Sequence, residues 1–430
     1  MKNLTAAALF LAIGAAPQLS QAAEPDGLVL PPGFHASVVN DGLGTHARHI
    51  AVRANGDIYI STLNFAAFAH PDMAHTGIIA LRPGKDGKAV AVDHFGGVDA
   101  GTGIAFYKGA LYAASPAAIW RYSFVGHELM PSAAPDRIVD GMPTAGSPSH
   151  GIAFDGKGHL FFSVAGVSNN CVDEVASKGS VHPVGLQPCP ELATRAGIWR
   201  FDAEKHEQKF PADGEQLATG VRDMEAMEWS RDRGGLYAAM QGRNAAARAL
   251  NSTLPNTADD DYVAEELHRV DKGTDFGWPY SYYDFNQKMR VTAPEYGGDG
   301  KTAAPGKYST PVAAFPAHAS PLDLTFYDGK QFPRAYRGGV FVALHGGLGP
   351  DLPEGHHGYE VKFVPFDKTG KAGEPQDFIQ GFAGPDPSYR NISKAIYRPT
   401  GLAVAPDGSL YVLDGNKGRL WRITYDGKAD

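Results

Sequence analysis

The chain has 430 residues, 43% of them hydrophobic, with 52 glycines and 31 prolines. That is enough apolar side chain for a large core and enough turn formers for many short strands. Thirty-nine basic against 47 acidic residues leave a net charge of −8 with no basic run, which excludes nucleic acid as the expected partner. The two cysteines form no Cys-x-x-Cys-His signature, which excludes a covalently attached haem of the usual type.

In chain order, the first feature is a leader. Met1-Lys2-Asn3 precedes an apolar run from Leu4 to Ala16 and the small-residue segment Ser20-Gln21-Ala22-Ala23. This pattern predicts a secretory signal peptide over 1–23, too short to span a membrane, and an exported single domain over 24–430. No later stretch is long and apolar enough to cross a bilayer. Residues 28–39 then read as a strand.

One phrase follows six times: a polar start, an apolar pair, a glycine turn and a strand ending in an aromatic residue. The copies start at His49-Ile50-Ala51-Val52, Gly103-Ile104-Ala105-Phe106, His150-Gly151-Ile152-Ala153, Met224-Glu225-Ala226-Met227, Pro321-Leu322-Asp323-Leu324 and Thr400-Gly401-Leu402-Ala403. They end at Tyr59, Tyr112, Phe161, Tyr237, Phe341 and Tyr411. A second strand signal follows each copy, as in Ile119-Trp120-Arg121-Tyr122 and Leu420-Trp421-Arg422-Ile423, with the period-two alternation of a half-buried strand. The prediction is an all-β fold: a six-bladed β-propeller of four-stranded antiparallel blades with long loop insertions. The strand at 28–39 would pair into the last blade and remove the open sheet edges.

The first three aromatic ends are spaced by about fifty residues, the length of a four-stranded blade. Wider spacings later place insertions at 167–195, 243–265 and 280–319, all rich in Pro, Gly, Asn, Asp and Ser and therefore read as loops. Cys171 and Cys189 fall within the first insertion, where an oxidising compartment favours a disulfide. A propeller gathers the start of each phrase around its channel. Those positions hold Arg48 and His49, Asp99 and Thr102, His150, Arg222 and Asp223, His318, and Arg398.

Four segments carry more. Ala218-Thr219-Gly220-Val221-Arg222-Asp223 is followed by Met240-Gln241-Gly242-Arg243-Asn244, by Glu265-Glu266-Leu267 and by Gly273-Thr274-Asp275-Phe276-Gly277-Trp278-Pro279. This succession resembles the soluble pyrroloquinoline-quinone (PQQ) sugar dehydrogenases, the glucose and sorbosone dehydrogenase family. So do Arg398-Pro399-Thr400-Gly401-Leu402 and Pro316-Ala317-His318-Ala319-Ser320-Pro321.

The resemblance implies PQQ over the channel and calcium held by the main-chain carbonyls of Gly242 and Arg243. It implies an exported oxidoreductase that passes hydride from an aldose, sorbosone or related sugar aldehyde or alcohol to the quinone, with a separate electron acceptor. Arg222, Asp223, Gln241, Phe315, His345 and Arg398 would contact the cofactor, with Phe315 as an aromatic platform. His150, with Arg222 and Asp223, would serve catalysis, although the family's catalytic histidine aligns near Ser147 or Pro148. Asp223 stands where the family has asparagine, and Arg243 where it has proline.

The chemistry suits these residue types. A neutral imidazole can take a hydroxyl proton, arginine forks bind carboxylates, and calcium takes peptide oxygens and polarises a quinone. Two readings compete. A calcium-dependent sugar lactonase resembling gluconolactonases would need a channel cage of Glu, Asn and Asp, whereas the first blade here starts with Arg48-His49. A non-catalytic ligand-binding propeller would account for the departures at Asp223 and Arg243.

Overall fold

Each copy of the phrase folds into the two innermost strands of one blade. The computed structural model describes residues 22–23, 27–44, 46–63, 77–96, 102–178, 183–244, 262–347 and 356–427. The segment up to residue 21, where the sequence predicts a leader, Asp99, and 245–261 of the second insertion lie outside the described residues.

From the channel outward, blade 1 is Ala47–Val52, Ile58–Thr62, Ile78–Pro83 and Ala89–Phe95; blade 2 is Ile104–Tyr107, Ala110–Ala114, Ala118–Tyr122 and Asp136–Asp140. Blade 3 is Ile152–Phe154, His159–Val164, Gly197–Asp202 and Glu215–Thr219; blade 4 is Asp223–Ser230, Gly235–Gln241, Glu265–Val270 and Ala313–Phe315. Blade 5 is Pro321–Phe326, Val340–Leu344, Glu360–Val364 and Gln376–Ile379. Blade 6 is Pro399–Val404, Leu410–Asp414 and Arg419–Tyr425, and the N-terminal strand Phe34–Asp41 supplies its outer edge. That strand pairs antiparallel with Arg419–Tyr425, the closure expected from the sequence. The inner strands contact one another in sequence order, and blade 6 meets blade 1.

Two details differ from the expectation. Blades 2 and 3 gain a fifth, parallel strand, Gln208–Lys209 and Thr274–Asp275, each two residues long and so without a readable period. The insertion at 280–319 is more than loop: it holds the hairpin Ser281–Asp284/Met289–Thr292 and the outer strand of blade 4. Among the described residues no helix is long and apolar enough to cross a membrane.

The core is divided into six wedges, one between each pair of neighbouring blades. The aromatic end of the phrase serves these wedges. Tyr59 and Tyr112 are buried and donate their hydroxyls to the carbonyls of Leu129 and Ala203 in the following blade, each at 2.8 Å. An apolar ring with a polar tip fills the wedge and links the blades.

The inner strands pose a separate problem, because each is a sheet edge with unpaired backbone groups. Side chains join every neighbouring pair. Ser61 donates to the Thr102 carbonyl (2.5 Å), Thr102 to the His150 carbonyl (3.1 Å), and Ser163 to the Met224 carbonyl (2.6 Å). Glu228 accepts from the Phe326 amide (2.7 Å), Asp323 accepts from the Leu402 amide (2.8 Å), and Thr400 donates to the Ala47 carbonyl (3.1 Å). Glycine is required where the strands come closest: a Cβ at Gly151 would lie 2.2 Å from the Glu225 carbonyl oxygen, and one at Gly103 2.3 Å from that of His150.

Ring closure predicts a sensitive residue on the N-terminal strand. Phe34 is buried against Phe332, Phe378, Tyr336 and Tyr425. Phe34→Ala is expected to cost about 3–5 kcal/mol in chemical unfolding, and a change of under about 1 kcal/mol would show that the closing strand contributes little.

Candidate active site

The residue just before the apolar pair of the phrase reaches the channel axis. Blades 2, 3 and 6 place Gly103, Gly151 and Gly401 there, while blades 1, 4 and 5 place His49, Glu225 and Asp323. His49 Nε2 lies 3.2 Å from Glu225 and its Nδ1 3.5 Å from Asp323, so one imidazole bridges the channel between blade 1 and blades 4 and 5. Arg48 adds a two-pronged contact to Glu225, at 2.9 and 2.6 Å. These buried charges close the channel at its waist. Burial opposes the His49 charge, but Asp323 and Glu225 outweigh it and raise its pKa to about 9. Burial likewise opposes ionisation of Glu225, and Arg48 and His49 overcome it, holding it at about 2.

Below the waist, toward the ends of the inner strands, the channel opens into a cavity of about 330 Å³ lined by Met227, Glu228, Thr325 and Asp328 among others. Burial raises the Glu228 carboxyl to about 8. Above the waist lies the mouth, formed by the strand starts and the turns between second and third strands.

At the mouth, Arg222 is half-buried. Its guanidinium makes no hydrogen bond or ion pair with a described residue and feels only the fields of Asp223 and Glu265. Burial raises Asp223 to about 6, against the pull of Arg222. Arg398 is buried and donates to the carbonyls of His345 (3.2 Å), Gly346 (2.7 Å) and Gly347 (3.0 Å). It thereby ties blade 6 to the turn of blade 5. Burial, together with Arg398 and Arg48, holds His345 well below the usual imidazole range.

The turn after the second strand of blade 4 is built from buried partners. Gln241 accepts from the Ser320 hydroxyl (3.2 Å), and the Gly242 amide donates to Glu265 (2.8 Å). Burial raises Glu265 to about 7, while the two amides it accepts from, His318 and Arg222 pull the other way.

Two expected residues are not at the mouth surface. His150 is fully buried; its Nδ1 donates to the Ser163 carbonyl at 2.7 Å and its Nε2 faces the Pro116 carbonyl at 3.3 Å. The Ser163 contact assigns the proton to Nδ1, and burial lowers its pKa. This ring orders the blade 3 start and does not face a substrate. Phe315 is 1% exposed, on the outer strand of blade 4 in the wedge against blade 5, so it is core and not a platform over a cofactor.

Glu225 and Asp323 are the important residues that the sequence reading passed over. The signal was present: aligned copies of the phrase put acids where three other copies have glycine. The cysteines do pair as a disulfide, Cys171–Cys189.

A lactonase cage does not assemble. Among the described residues no trio of His, Asp and Glu in the channel gathers its ligand atoms closely enough for an ion, and the two acids of the waist, Glu225 and Asp323, are taken by Arg48 and His49.

The architecture is that of the soluble PQQ-dependent sugar dehydrogenases, as the resemblance implied. The holo PQQ domain of pyranose dehydrogenase from Coprinopsis cinerea is similar over 95% of this chain and 98% of its own length, at TM-score 0.68 and 16% identity. The PQQ-bound aldose sugar dehydrogenase of Streptomyces coelicolor covers 92% and 99%, at TM-score 0.54 and 18% identity.

The family match is narrower. The TrAA12-like family model covers residues 28–426, and the chain belongs to that family. The iodide structure of the Trichoderma reesei member of Carbohydrate-Active Enzymes Family AA12 covers 96% of this chain and 100% of its own, at TM-score 0.72 and 15% identity. A protein of Borreliella burgdorferi described as uncharacterized is 30% identical over 254 residues, 59% of this chain. The match spans only 57% of that relative's length.

The waist predicts a pH dependence. His49 is raised above its unfolded value of 6.5, so its contribution is full below pH 6.5 and is lost as pH rises through about 9. It is worth of order 3 kcal/mol. Glu228 also weakens the fold as pH rises, but only until it ionises near 8. His49→Gln is therefore expected to flatten the stability loss between about pH 8 and 9 in guanidinium unfolding; an unchanged slope there would remove His49 as its source.

Proposed function

We propose that the chain is a PQQ-dependent oxidoreductase acting on an aldose, sorbosone or related sugar alcohol or aldehyde. On this reading the leader at 1–23 exports it, and a separate molecule accepts the electrons. The observation that carries the reading is Arg222, a half-buried guanidinium at the channel mouth that pairs with no acid among the described residues. A buried cation normally finds a partner, and an anionic quinone with carboxylates supplies one.

The residues present fit the cofactor pair. Asp223 and Glu265 flank the Gln241–Arg243 turn with carboxyls that burial raises to about 6 and about 7, since removal from water disfavours the charged form. A hard cation bound by oxygen ligands there would favour that form. Calcium would sit on the main-chain carbonyls of Gly242 and Arg243, and Gln241 would border it. PQQ, when bound, supplies a two-electron acceptor for hydride.

The chain's own residues divide the remaining work. Arg222 binds carboxylate. Arg398 and the buried, neutral His345 shape the wall opposite. The waist of Arg48, His49, Glu225 and Asp323 closes the channel, so that ligands enter only from the mouth. The hydroxyl proton goes to the ring of His318, half-buried at the mouth and close enough to Glu265 to lower its pKa. His318 takes the role first expected of His150, whose ring is fully buried and donates from Nδ1 to the Ser163 carbonyl.

The test is reconstitution. Protein with PQQ and Ca²⁺ is expected to reduce a dye with one or more members of a sugar panel. Arg222→Ala should weaken PQQ binding by about 10–100-fold, the worth of a charge-assisted contact. His318→Asn should keep PQQ binding and lower turnover by about 10²–10⁴-fold. No PQQ binding at micromolar concentration by fluorescence would reject the reading, and lactone hydrolysis without PQQ would replace it.

A further inference from the structure

We propose that Arg243 is a positioning residue for the cofactor turn, holding Gln241–Asn244 through a buried clamp that this chain uses in place of a proline. The inference rests on the cofactor site proposed above and goes beyond it to the side chains behind the turn, which touch no cofactor.

Proline at position 243 would limit the turn's backbone directly, by fixing one dihedral. Arginine removes that limit. Its side chain restores order by another route. It is 3% exposed and forms a two-pronged ion pair with Glu295, whose side chain is 0% exposed. Nη2 lies 2.7 Å from Oε1, and Nη1 pairs with Oε2. Burial opposes ionisation of Glu295, and Arg243 together with Asn170 overcomes it and lowers its pKa.

Glu295 is itself anchored to the disulfide-closed insertion. Asn170 donates to its Oε1 (2.8 Å), Gly185 donates to its carbonyl (2.9 Å), and the neighbouring Tyr296 hydroxyl donates to the Cys171 carbonyl (2.9 Å). Asn169, one residue earlier, grips the next turn position from both sides. The Asn244 amide donates to its Oδ1 (2.9 Å), and its Nδ2 donates to the Asn244 carbonyl (2.8 Å). With Ser320 on Gln241 and Glu265 on Gly242, each of the four turn residues has a fixed partner.

Stability alone does not account for the pair. Desolvating two charges costs about as much as their attraction returns, and an apolar pair of similar volume usually does as well or better. What the fork adds is direction, since two parallel contacts fix orientation as well as distance. That direction is spent on the segment whose carbonyls would face the metal. Partners one shell behind a metal ligand commonly change affinity by about 10–100-fold when lost.

Two variants test this. Arg243→Lys keeps the charge and loses the fork. Arg243→Met combined with Glu295→Leu replaces the pair with apolar side chains. Three quantities are read: melting of the unliganded protein, PQQ affinity in Ca²⁺ by tryptophan fluorescence, and hydrogen exchange at the Gly242 and Asn244 amides. The expected result is PQQ affinity lower by about tenfold or more and faster exchange at both amides. The double variant should also melt within about 5 °C of wild type.

Wild-type PQQ affinity in either folded variant, or unchanged exchange at both amides, would overturn the proposal. If the double variant does not fold, Arg243→Lys decides. If wild-type protein binds no PQQ, the cofactor reading fails, and exchange at the two amides still decides whether Arg243 holds the turn.

Discussion

Six sheet edges converge on one axis, and the rest of the molecule follows from how they are satisfied. An inner propeller strand has a neighbour on one side only, so its outward N–H and C=O groups must find partners or water. Here a hydroxyl or carboxylate crosses each boundary between blades, from Ser61 to Thr102 and onward around to Thr400 and Ala47. The crossings fix the strand starts relative to one another. The starts carry Arg48, His150, Arg222 and Arg398, so the scaffold and the mouth share one set of constraints. His150 shows the overlap: a histidine at a channel position is fully buried and spends its Nδ1 proton on the Ser163 carbonyl.

The waist adds a second consequence. Placing glycine on three blades and His49, Glu225 and Asp323 on the other three lets charged side chains fill the axis without clash. Buried ion clusters of this kind add little net stability, but they leave the channel with one polar floor and two separate ends. The mouth above it retains a partner-poor cation, Arg222, and carboxyls with raised pKa values. Buried titratable groups gathered at the mouth of a cleft mark a candidate functional site.

Much of the architecture was legible in the sequence because a propeller repeats. Alternation, a glycine turn and an aromatic end each have a local cause, and six copies make the period visible. The N-terminal strand was readable as the missing partner of the last blade. Phe315 was not, because a short outer strand inside a long insertion has no period to read. The two parallel strands of blades 2 and 3 failed for the same reason. At the site, the residue types around Arg222 and the Gln241 turn were legible from resemblance. The partners of Arg243 were not, since Glu295 and Asn169 lie far away in sequence.

The amino-acid order alone therefore settled the number of blades, the direction of closure and the face that carries the mouth, since these depend on local period and chain continuity. Only the folded chain decided which charged residues meet. His49 finds Glu225 across the whole channel, Arg243 finds Glu295 in an insertion 52 residues away, and His150 turns inward to Ser163. Those pairings depend on burial and on distances between strands, which no spacing along the chain encodes.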